Sequence, residues 1–140
     1  MSEIDLHYLF KGIKSIESFR KRFSTEQNCL ALIADLKWKD GFACRKCGHT
    51  HYCDGKTPYS RRCTKCKADE SATAHTLFHH CRLRIMDALE LAYRVCCSPE
   101  ISSYELSREM STRQMTCWKF KKRIQEYQEQ IAEDQLTPDH

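Results

Sequence analysis

Nowhere in this chain does an apolar run approach the roughly 18 residues that a bilayer-spanning helix needs. Its first residues, MSEIDLHYLFKGIKSIESFRKRF, lack the charged, then apolar, then small-residue layout of a secretory signal. Internal repeats and low-complexity tracts are missing as well. These absences point to the reducing cytosol, where Cys-x-x-Cys pairs bind metal or do redox work more often than they form structural disulfides. Charge of one sign is absent from two stretches. Ser111 to Arg123 carries Arg113, Lys119, Lys121, Lys122 and Arg123 with no acid. The last sixteen residues carry Glu126, Glu129, Glu133, Asp134 and Asp139 with no lysine or arginine. Such blocks imply a polyanion partner for the middle of the chain and a solvated, acidic end.

What is present is a globular balance: 140 residues, 41% hydrophobic and 30% charged, enough for one domain or two small modules. Ten cysteines is a high count for this length. Phe42 to Cys66, FACRKCGHTHYCDGKTPYSRRCTKC, is nearly devoid of apolar residues yet holds two Cys-x-x-Cys pairs. Cys44, Cys47, Cys63 and Cys66 stand as C-x2-C-x15-C-x2-C, within the spacing of a four-thiolate zinc site. Two intervening residues let a tight turn aim both sulfurs at one centre about 2.3 Å away. Four thiolates close the shell, so one structural Zn2+ is expected, without an open catalytic position; iron is accepted by the same sulfur tetrahedron. A segment of this kind cannot bury enough apolar surface to offset its chain entropy, and metal is expected to substitute for a core. Cys53, His49 and His51 lie close by but are not needed to fill the shell. Cys29, Cys96, Cys97 and Cys117 fall on or beside helical stripes and read as small buried hydrophobes. His75, His79 and His80 read as packing or phosphate-contacting groups.

Helical periodicity brackets the segment. Ser24-Thr25-Glu26-Gln27 reads as a capping box, and Cys29, Leu30, Ile33 and Leu36 recur at helical spacing until Asp40-Gly41. From Phe42 to about His80 the pattern predicts hairpins, with β-prone pieces at His51-Tyr52 and Tyr59-Ser60. Ile85, Leu89, Ala92 and Cys96 form a second stripe, with Met86 and Tyr93 on its flank, closed by Ser98-Pro99. Ser102 with Glu105, and Ser111 with Gln114, make two further caps. They predict a short helix, a turn at Met110–Thr112 and a longer helix from Thr112 to about Tyr127, the layout of a helix-turn-helix. The predicted fold is α+β: a small zinc ribbon of short β-hairpins, flanked by an N-terminal helix and a C-terminal helical module, four helices in all. The segments are 1–40 (N-terminal helical), 41–80 (ribbon), 81–127 (helix-turn-helix) and 128–140 (acidic tail).

In a helix-turn-helix the second helix enters the major groove with its N-terminal residues at base edges. Here those are Thr112, Arg113, Gln114, Thr116 and Cys117. Arginine forks onto guanine, glutamine onto adenine, and a threonine methyl touches thymine. Lys119, Lys121, Lys122 and Arg123 suit phosphates. Met115, Trp118 and Ile124 are expected to face the bundle, with Leu106 and Met110. Arg61, Arg62 and Lys65, with Lys46 and Lys67, would project from the ribbon as a second contact, Tyr52 and Tyr59 between them. A helical hairpin with a merely solvated basic face is the plain alternative.

The order of parts resembles the N-terminal region of insertion-sequence transposases, in which a zinc ribbon and a helix-turn-helix precede a DDE-type catalytic domain. The likeness runs from about Phe23 to Ile124. It is carried by Trp38-x-Asp40-Gly41, Cys44-x-x-Cys47-Gly48, Arg62-Cys63-x-x-Cys66, Thr76-x-Phe78-His79, Ile101-Ser102-Ser103-Tyr104-x-Leu106 and Thr116-x-Trp118. Family members tend to have an aromatic near Glu70 and glycines near Ala74 and Ser111. The resemblance implies zinc on Cys44, Cys47, Cys63 and Cys66, a recognition helix over Arg113 to Arg123, and double-stranded DNA of transposon-end type as partner. It also implies a catalytic transposase subunit or self-association, and a cytoplasmic, nucleoid-associated place in transposition and DNA recombination of a mobile element. Strand transfer needs three carboxylates converging on metal ions. Asp134 and Asp139 cannot assemble that site, so no catalytic residue and no enzyme activity are expected here. Two other classes compete: a zinc-ribbon module for protein interaction or transcription regulation, and a thiol oxidoreductase using the Cys-x-x-Cys pairs.

Overall fold

Polar caps set where the helices begin. The computed structural model describes residues 4–79 and 81–136, with side chains through Ala132. Asp5 accepts the His7 and Tyr8 N–H groups ahead of α1 (Leu6–Leu9), and Ser15 accepts the Ser18 N–H ahead of α2 (Ile16–Arg22). Thr25, one residue beyond the serine read as the cap, accepts the Asn28 N–H and opens α3 (Glu26–Lys37). Each satisfies a donor that the first helical turn leaves without a partner. The ribbon follows, with β1 (Tyr52–Asp54), β2 (Arg61–Cys63) and β3 (Asp69–Glu70) in one antiparallel sheet of order β1-β2-β3. Tyr52 stands opposite Cys63, and Arg62 opposite Asp69. At the β1–β2 turn the Gly55 N–H meets the Ser60 carbonyl at 3.1 Å. A Cβ at Gly55 would lie 2.2 Å from Ser60 Oγ, so only glycine fits there. Then come α4 (Ile85–Cys97), α5 (Ser103–Met110) and α6 (Gln114–Leu136).

Among the described residues six helices therefore stand where the sequence pattern suggested four, because α1 and α2 are too short for a periodic stripe to show. The fold remains α+β. It divides into two compact units, one up to residue 80 and one from Cys81 onward. In the first, Phe10, Phe19 and Phe23 pack with ring centroids 4.7–6.0 Å apart, and Ile4, Leu9, Cys29 and Ile33 are buried as well. A separate buried cluster joins Ala34 and Trp38 at the end of α3 to Phe42, Cys44, Cys63 and Ala72, with Leu30, Cys66 and Ala68 against it. The ribbon is thus not coreless. It leans its cysteine turns on the last turn of α3, so its metal would reinforce a small core rather than replace one.

In the second unit α4 buries Ala88, Leu89, Leu91, Ala92, Tyr93 and Val95, a face wider than the sequence stripe and excluding Ile85 and Cys96. Ser102 caps α5 by accepting the Glu105 N–H. Leu106 from α5 is buried, as are Cys117, Phe120, Ile124 and Tyr127 from α6, spaced three, four and three residues apart as one helical face demands. Ser111 does not cap α6. It closes α5 in the left-handed conformation (φ 52°, ψ 42°), with its N–H on the Ser107 carbonyl. That backbone region favours glycine, so the serine carries strain of about 1–2 kcal/mol. α6 runs past Tyr127 to Leu136, so the segment read as a tail is largely helix; His80 and Asp139 lie outside the described residues.

Candidate metal centre and nucleic-acid interface

Two turns of nearly the same construction hold the four cysteines. In the first, the Cys44 carbonyl accepts the Gly48 N–H at 2.8 Å, and the Cys44 N–H reaches His49 O at 2.8 Å. In the second, the Cys63 carbonyl accepts the Lys67 N–H at 3.0 Å, and the Cys63 N–H reaches Ala68 O at 3.0 Å. The sulfurs of Cys44 and Cys63 each accept a backbone N–H, from Lys46 and Lys65 respectively, at 3.4 Å. Gly48 (φ 79°) and Lys67 (φ 66°) both take the left-handed conformation that ends such a turn. Each turn thereby points two sulfurs the same way.

The sulfurs meet. Cys44 Sγ lies 3.5 Å from Cys66 Sγ, Cys47 Sγ lies 3.5 Å from Cys63 Sγ, and all four fall within 4.8 Å of one another. A zinc ion with bonds of about 2.3 Å needs sulfur–sulfur edges of about 3.8 Å, so the set fits a tetrahedral ion. Among the described residues these four form the only group of three or more ligating side chains close enough to share one. His49 instead contacts Thr64 Oγ1 at 3.1 Å, and Cys53 is exposed on β1. The electrostatics agree. Burial pushes Cys63 up, but the N–H groups of Cys66 and Lys65 and the adjoining thiols more than offset it, holding Cys63 at about 6. Cys44 is also lowered, chiefly by the Cys47 N–H. The His49 N–H lowers Cys47, yet burial and the thiols of Cys63, Cys66 and Cys44 together raise it to about 11. Four thiolates cannot coexist here without a cation between them; a divalent ion would supply that charge and cross-link the two turns.

Lys37 at the end of α3 and the arginines of the ribbon are engaged within the first unit, whereas the ribbon lysines Lys46, Lys56, Lys65 and Lys67 are exposed. Lys37, whose side chain is 1% exposed, donates to Ser71 O at 2.8 Å and Ala74 O at 2.7 Å and pairs with Glu70 at 2.6 Å. All three ammonium protons are thus used. Burial lowers its pKa, and Glu70 opposes the shift. Arg45 pairs with the same Glu70 at 3.0 Å. Arg61 sits 4.6 Å from the Trp38 ring and 4.0 Å from the Tyr52 ring, and Arg62 forks onto Asp69 at 3.2 and 3.0 Å. Of the ribbon residues expected to contact nucleic acid, Arg61 and Arg62 are engaged in these contacts, while Lys65 is exposed. No sequence pattern flagged Lys37, because its buried acceptors arrive from a loop more than thirty residues on.

On α6 the orientation differs from the sequence reading. Cys117 is fully buried and cannot meet a base; Met115 and Trp118, expected inside, are 56% and 47% exposed. Gln114 Nε2 donates to Ser103 Oγ at 2.6 Å, and Lys121 Nζ to Ile101 O at 2.5 Å, so both tie α6 to the α5 end of the unit. Thr112 Oγ1 donates to Met110 O at 3.1 Å within the turn. Thr116 and Arg123 are half-buried, whereas Arg113, Lys119 and Lys122 are exposed. Counting Cys117 as a small hydrophobe throughout would have set the phase correctly.

Compared with known families, residues 24–69 match the family model for the transposase zinc-ribbon domain. The matched span covers less than half the chain, begins just before α3, ends in β3 and contains all four cysteines. No curated protein and no solved structure matches the chain.

Proposed function

We propose that this chain, built on a zinc ribbon of the transposase type, binds double-stranded DNA through its last helix. The observation that carries the reading is the basic start of α6, where Arg113 just ahead of the helix and Lys119 and Lys122 on its outer face are exposed and no acid intervenes before Glu126. Two helices joined by the turn Ser111 to Arg113 support it, because this layout offers a second helix to the major groove. The positive end of the α6 dipole lies at the same end as these cations and adds to their field. Zinc keeps the ribbon folded and takes no part in chemistry. A transposon-end-like duplex is the partner the family points to, and the nucleoid the place of action. Recognition is assigned to these residues, and strand transfer to a catalytic transposase region outside them.

Gel-shift titration of the zinc-loaded chain against random duplex tests this. Complexes should form at low salt, with a log–log salt slope of about −2 for the two phosphate-facing lysines, Lys119 and Lys122, rather than the −4 to −5 of all five basic residues from Arg113 to Arg123. No shift at low salt overturns the reading.

A further inference from the structure

The helix that carries the basic face also exposes two large apolar side chains. Met115 is 56% and Trp118 47% exposed, while the opposite face of α6 is filled by Cys117, Phe120 and Ile124. Met115 and Trp118 stand three residues apart, and Lys119 and Lys122 continue the same face one turn further on. Lys122 Nζ lies 5.3 Å from the Trp118 ring, so cation and ring share one patch. Folding gains nothing from leaving such surface in water, and a partner gains by covering it. The flanking charge decides which partner. Arg113, Lys119 and Lys122 complement a polyanion, not an apolar protein face.

In the major groove of a duplex the apolar group presented at the base edge is the C5 methyl of thymine. We infer that Met115 and Trp118 read thymine methyls, making the recognised site one with thymines under the first two turns of α6. The inference rests on the DNA-binding reading above and adds which bases that helix selects. It also follows from what the other side chains are doing: Gln114 is spent on Ser103 and Cys117 on the core, leaving Arg113 and Thr116 as the polar groups near base edges.

The test uses the full zinc-loaded chain to enrich duplexes from a random library, then replaces thymines in the enriched site by deoxyuridine, which lacks only the methyl. Affinity should fall about fourfold per contacted methyl, the worth of one buried carbon. Met115→Ala and Trp118→Ala should bring the thymine-to-uracil ratio toward one. Lys119→Ala should weaken both duplexes alike and leave the ratio intact. Equal wild-type affinity for the two duplexes overturns the inference while sparing DNA binding; so does a ratio that persists in both alanine variants. Failure to enrich or retain any duplex at low salt overturns the DNA-binding reading itself. The wild-type comparison needs no variant to fold.

Discussion

The ribbon and the last helix look equally basic in sequence, yet the ribbon's arginines and the cations at the start of the last helix do opposite things. In the ribbon, Arg45 and Arg62 are paired with Glu70 and Asp69, Glu70 also takes Lys37 from the end of α3, and Arg61 lies between two rings. On α6, Lys119 and Lys122, with Arg113 just ahead of the helix, face solvent with no acid beside them in sequence until Glu126. A small sheet with little apolar surface uses cations as struts. A helix whose other face is fully packed has its cations to spare. Local charge density therefore says little about availability; what the neighbouring backbone needs says more.

The largest test of that contrast is removal of the metal. Chelation, or Cys63→Ser, should forfeit apparent binding free energy on the order of 10–16 kcal/mol coupled to ribbon folding. Thermal melting should lose the transition of the first unit while the helical signal of α4 to α6 persists. Melting of both units together would break the comparison. Next, Lys37→Met should destabilise the first unit by about 1–3 kcal/mol, because it leaves Glu70 with Arg45 alone and takes the donor from two carbonyls. Denaturant unfolding and zinc content would both report it. Smaller still, Lys119→Ala should reduce the salt slope of DNA binding by about 1, whereas Arg62→Ala should leave it unchanged. A matching drop for Arg62 would put the ribbon on the duplex as well. The smallest effect concerns acid. The Arg62 guanidinium holds the Asp69 carboxyl below its ordinary range. The folded state thus keeps this charge at acidities where the unfolded chain has taken up a proton. Its stabilisation is complete above the ordinary carboxylate range and disappears as pH falls through the lowered folded value. Arg62→Ala should remove that portion of the acid limb in a pH titration of stability.

The legible parts of the sequence were those whose cause is local. Cysteine spacing follows from the turn that holds each pair, and the Ser102 cap and the Ser98-Pro99 stop act within one helical turn. The four cysteines duly come together. What stayed hidden was set from a distance. The phase of α6 depends on whether Cys117 or Trp118 meets the bundle, and periodicity alone allowed either. The role of Lys37 depends on a loop that returns to the end of α3. The ribbon's own core depends on Trp38 and Ala34 reaching it from a helix that precedes it. Ser111 shows a different limit: a residue with the chemistry of a cap occupies the position that ends the previous helix.

The charge layout of α6 has a consequence for the free chain. No acidic side chain stands in its first turn and no basic one in its last, the reverse of what its peptide dipoles favour. Arg113 stands just ahead of the end that is already positive, the helix's own cations begin in its second turn at Lys119, and Glu126 and Glu129 lie in the half nearer the negative end. On its own the helix works against itself, held in register mainly by its buried face. On the DNA-binding reading proposed above, an approaching anionic strand would relieve that leading end, so the segment making the contact would also be the one that firms up on being touched.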